Sequence, residues 1–109
     1  MFANPMNKRR RPRKAGAIAV GLAWFDREQW HLLREVAVDR AKLDDTFEEW
    51  ETSAHRALAG LKSQGVVAEP FEVRVADLVR WCAERKLAVD GAARAEYVSF
   101  MLQRKHAGA

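Results

Sequence analysis

Residues 17–25 read Ala-Ile-Ala-Val-Gly-Leu-Ala-Trp-Phe, and the alternation of large and small side chains along them decides the fold. Ile18, Val20, Leu22 and Trp24 fall on one side of an extended chain, and Ala17, Ala19, Gly21 and Ala23 on the other. A period of two marks a strand, β1. The bulky face is expected to meet the core. The small face is expected to admit a helix or another chain's backbone at close range. The stretch carries no charge and no proline, so its edge invites pairing with a second copy. A homodimer through β1 or the helix faces around it is therefore expected, in which two small sheets join into one of four strands; the alternative is that α1 or α4 and the tail cover this edge within one chain.

The chain on either side of β1 supports this reading. Residues 1–16 contain Pro5, Pro12 and Gly16 and almost nothing apolar after Met6, so they read as a basic tail ahead of a single domain at 17–109. Basic residues followed by an apolar run imitate a signal peptide. However, the run Ala15–Phe25 is about half the length needed to span a bilayer, and Asp26, Arg27 and Glu28 follow it with no small-residue cleavage pattern. No membrane association is expected.

Downstream of β1, Asp26 stands at an N-cap position with Gln29 as its capping-box partner. Phe25 and Trp30 are spaced for a hydrophobic staple. Trp30, Leu33 and Ala37 then give helix α1 its apolar stripe, fading near Val38. Thr46 with Glu49 opens α2, whose stripe is Phe47, Trp50, Ala54, Ala57, Leu58 and Leu61, and Gly65 ends it. Residues 66–75 alternate Phe71, Val73 and Val75 with charged residues as β2. Pro70 makes β2 an edge or bulged strand, because proline has no amide hydrogen to donate. Residues 76–86 read as α3, without a good cap, and Asp90 caps α4. The fold class is α+β: a small two-strand sheet packed by two helix pairs, in the order β1-α1-α2-β2-α3-α4.

At 109 residues with 49% hydrophobic side chains, the chain has material for one core. The single cysteine, Cys82, rules out an intrachain disulfide framework and thiolate-rich zinc sites and suits a reducing cytoplasm. Arginine exceeds lysine, which with the abundant alanine points to GC-rich bacterial coding. The net charge of +4 is unevenly placed. Lys8, Arg9, Arg10, Arg11, Arg13 and Lys14 lie in a run without acids. They leave the rest of the chain with thirteen basic and fifteen acidic residues.

Several residues resemble those of a group of small bacterial α+β proteins with no assigned activity. They are Trp24-Phe25 at the end of the first strand, Thr46-Phe47 with Trp50 at the second helix start, Gly65-Val66 after it, Trp81-Cys82-Ala83, and Asp90 with Ala92-Ala93-Arg94-Ala95. The resemblance spans roughly residues 17–104. It implies the architecture and carries over no catalytic residue, cofactor or metal.

Candidate chemistry is sparse. His31 with Glu35 and His55 with Glu51 are pairs four residues apart on two helices, a spacing that a shared metal site could use, but they lie beside the apolar stripes and, with no two-histidine pair on one helix, read as solvated surface pairs. Cys82 would need a histidine beside it to act as a nucleophile, and on an apolar helix it reads as core. Asp44, Asp45, Glu48 and Glu49 cluster where a helix start favours acids. No glycine-rich phosphate loop is present. The four tryptophans fall on apolar stripes or the bulky face of β1 and read as core.

The run Lys8, Arg9, Arg10, Arg11, Arg13 and Lys14 is the one feature with a direct functional reading. It can neutralise nucleic-acid phosphates, and without interleaved aromatics it would recognise backbone and not sequence. A solvated start under weak constraint accounts for it equally well. The sequence thus points to a protein-interaction or accessory protein, with a nucleic-acid-associated protein as the alternative. No cofactor and no catalytic or metal-ligating residue is assigned.

Overall fold

The computed structural model describes residues 20–108. The basic run Lys8–Lys14 and the first residues of the predicted β1 lie outside them. The elements follow the predicted order: β1 (Val20–Trp24), α1 (Arg27–Val36), α2 (Phe47–Ser63), β2 (Ala68–Glu72), α3 (Val75–Glu84) and α4 (Gly91–Ala107), with a single 3₁₀ turn at Arg40–Lys42 between the first two helices. The two strands pair in parallel, Val20 opposite Ala68 through Trp24 opposite Glu72. Parallel neighbours need a long crossover, and α1 and α2 supply it.

The helix ends are built from local chemistry. Asp26, Thr46 and Asp90 each accept a bond from the backbone N–H three residues on, at 2.8, 3.1 and 2.9 Å. Such a bond satisfies one of the four donors that a helix start leaves unpaired. At the end of α2, Gly65 takes a φ of 80°. The N–H of Val66 then reaches the carbonyl of Leu61, and that of Gly65 the carbonyl of Lys62. The same reversal closes α3, with Lys86 at φ 57° and Leu87 N–H on the carbonyl of Cys82.

Two strands bury too little to stand alone, so helices cover both faces. Gly21, Ala23, Glu69 and Phe71 point to one face, where α4 lies. Phe71 meets Tyr97 edge to face at 6.2 Å, and Lys105 Nζ and His106 Nε2 each lie 2.9 Å from the Glu69 carboxylate. On the other face Trp24 packs against Trp50 and His55 of α2. The main core lies under α4 and between the helices, with Ala23 and Phe71 of the strands packed against it. Phe25, Trp30, Leu33, Leu78, Trp81, Cys82, Tyr97 and Val98 are all buried there, drawn from the β1–α1 junction, α1, α3 and α4.

Two expectations are corrected here. The small face of β1 admits a helix as expected, α4 coming so close that a β-carbon on Gly21 would stand 2.6 Å from both Val98 Cγ1 and Leu102 Cδ1, but the bulky face does not meet the core as expected. The bulky face stays half open, with Val20 45% exposed. The cause is volume, because a helix axis approaches a strand most closely where side chains are absent. The second correction concerns Gln29, whose side chain does not turn back to Asp26. Its Oε1 accepts the N–H of Val75, 46 residues away, at 2.7 Å. Gln29 thus caps α3, the one long helix whose own N-cap residue, Arg74, makes no side-chain cap bond.

Candidate functional site

In a parallel pair each strand turns alternate peptide groups toward its neighbour. Val20 donates its N–H to the carbonyl of Val67 at 2.8 Å, and the carbonyl of Trp24 accepts from Val73 N–H at 2.9 Å. Val20, Leu22 and Trp24 therefore face β2, while the N–H and C=O groups of Gly21 and Ala23 point to the opposite, outer edge. On β2 the same alternation turns Ala68, Pro70 and Glu72 outward. The two edges of the sheet are thus unlike. The outer edge of β2 is interrupted by Pro70, which has no N–H to offer. Among the described residues, the outer edge of β1 pairs with nothing and carries no proline, lysine or other guard.

The strand that carries this edge is apolar and uncharged. Val20 stands beside it, and Val67, hydrogen-bonded to Val20, is 59% exposed at the same end of the sheet. The α2 stripe that covers this face is itself only partly covered, with Trp50, Ala54, Leu58 and Leu61 half-buried. On the other face Tyr97 leans from α4 toward β2 and α3. On the same helix Ala95 and Ser99 are exposed.

A cleft of about 330 Å3 opens at the carboxyl ends of the strands, where open parallel sheets commonly take ligands. It is lined by Trp24, Arg27, Gln29, Phe47, Glu51, Glu72 and Arg74. Its best-placed polar groups are committed to protein partners. Arg27 lies over the Phe47 ring and pairs with Glu48 at 2.6 Å, which holds that carboxyl below the usual range, and Gln29 is engaged by Val75 N–H.

The residues singled out from sequence are not brought together. His31 lies against Trp30, while His55 meets Trp24 edge to face. Among the described residues no group of three metal-ligating side chains forms. Cys82 is buried, and desolvation, reinforced by Asp90, raises its thiol pKa. Asp44, Asp45, Glu48 and Glu49 line an open groove at the start of α2. Trp30 and Trp81 are buried as expected, whereas Trp24 and Trp50 are half-buried at the outer face of the sheet. No described helix is long and apolar enough to cross a membrane.

Of the charged pairs that sequence reasoning missed, one is well shielded from solvent. Asp39 and Arg94 form two parallel bonds at 3.0 and 2.9 Å, with side chains only 18% and 13% exposed. The geometry is the bidentate one that favours arginine. It fixes the segment after α1 to the first turn of α4, and nothing local in sequence signals a contact over 55 residues. Comparison with protein-family models, curated proteins and solved structures finds no match to the chain.

Proposed function

We propose that this chain is a protein-interaction module that binds by strand addition at the outer edge of β1. The observation that carries this reading is the inequality of the two edges. Pro70 interrupts one, while Gly21 and Ala23 present an unbroken set of donors and acceptors on the other. Strand addition uses such a set for affinity and reads alternate side chains for specificity. The half-open apolar face at Val20 and Leu22 offers those side-chain contacts.

Ala23→Pro tests the proposal, because it deletes an outward N–H and leaves every bond between β1 and β2 in place. Peptide-display selection at nanomolar chain concentration should return extended, alternately apolar segments. Their binding to Ala23→Pro should fall by at least about tenfold, one lost backbone bond together with the steric block of the ring. Undiminished binding by a folded Ala23→Pro protein would sink the reading.

A further inference from the structure

The occupant of the open edge can be specified, on the premise that the edge binds by strand addition. We infer that it is β1 of a second copy, running antiparallel about a twofold axis at Leu22.

The register follows from which peptide groups point outward. In an antiparallel pair, residues that exchange both hydrogen bonds must both face the partner. Gly21 and Ala23 are the outward residues of β1, so Gly21 pairs with Ala23 of the second copy and Ala23 with its Gly21. Four backbone bonds result, and Leu22 meets its own counterpart across the axis in a non-hydrogen-bonded pair. Val20 then stands opposite the second copy's Trp24.

β1 is complementary to itself in this register. Small side chains meet small ones on the α4 face, and large apolar ones meet large apolar ones on the α2 face. No charge lies anywhere between Val20 and Trp24, so no like charges are opposed. The two α4 helices come to lie on the same face of the joined sheet. The exposed Val20 is covered by the second copy. The product is a four-stranded sheet in the order β2-β1-β1-β2, whose outer edges both carry Pro70. Isologous pairing of this kind closes on itself, and the proline-bearing edges discourage further growth.

Cysteine placement tests both the partner and the register. Residues in a non-hydrogen-bonded antiparallel pair have Cα atoms about 4.5 Å apart, within disulfide reach. Leu22→Cys should therefore give a covalent dimer in air that reductant reverses. Val20→Cys is better exposed but stands four residues from its own counterpart, about 13 Å along the strand, and should remain uncrosslinked. The native chain, whose Cys82 is buried, should show twice its chain mass at high micromolar concentration without any disulfide.

A native chain that is monomeric at that concentration overturns the inference, as does equal crosslinking of Val20→Cys and Leu22→Cys. Should Leu22→Cys fold poorly, the native mass still decides. A monomer whose peptide binding is lost in Ala23→Pro would retire the second copy as occupant and leave strand addition standing. A monomer whose peptide binding survives Ala23→Pro would remove both.

Discussion

At Gly21 the absence of a side chain sets the distance between the sheet and α4. A β-carbon there would meet Val98 Cγ1 and Leu102 Cδ1 at 2.6 Å. Leu102 can rotate away, but the β-branched Val98 is stiff at its first torsion. Gly21→Ala should therefore cost roughly 1–3 kcal/mol, the usual range for overpacking. Chemical denaturation should show that Val98→Ala, harmful on its own, restores part of this loss in the Gly21→Ala background. Strict additivity of the two changes would show that α4 does not rest on Gly21. The alternation that makes Val20–Trp24 a strand was legible, and so was the room its small face leaves for a helix, but that its bulky face would stay half open was not. A strand displays two faces, and apolar content ranks them without regard to how closely a helix can approach.

Among the elements, α3 depends most on a distant residue. Its N-cap is Arg74, which makes no side-chain cap bond, and Val75, the first helical residue, is 3% exposed. Its N–H would be buried without a partner if Gln29 did not accept it. Gln29→Met keeps the length and removes the acceptor, and should cost about 1–2 kcal/mol, the range for a lost cap or an unsatisfied buried donor. Gln29→Glu keeps an acceptor at a helix N-terminus, where negative charge is favoured, and should retain most of the stability. Equal urea midpoints for the native and Met variants would contradict the cap. The other helix starts were readable because their caps lie three residues away. This cap spans 46 residues, and glutamine three positions after an aspartate reads first as a local partner.

Across the whole molecule, α4 is tied by ion pairs to the segment after α1 through Asp39–Arg94 and to β2 through Glu69 with Lys105 and His106. The hydrogen bond from Arg94 holds the Asp39 carboxyl below its usual range. Lys105 and then His106 do the same for Glu69. A carboxyl whose pKa is lower in the folded than in the unfolded state adds stability above the unfolded value, near 4. That contribution is lost as pH falls through the folded value. Thermal midpoints should therefore fall more steeply for the native chain than for Arg94→Met as the pH drops below about 4. At neutral pH, Arg94→Met should cost roughly 2 kcal/mol, which for a chain of this size lowers the midpoint by about 10 °C. Parallel pH profiles of the two proteins would show that the pair contributes nothing.

The sequence by itself determined the elements, their order, three of the four helix caps, the edge character of β2 and the burial of Trp30, Trp81 and Cys82. Each of these rests on a period or a cap readable within a few residues. Only the tertiary structure decided that the strands run parallel, that α4 covers the small face of β1, that Gln29 caps α3, that Asp39 meets Arg94, and that the histidines lie apart. These depend on packing between elements far apart in sequence, where the winning contact is set by volume and by which buried polar groups need partners.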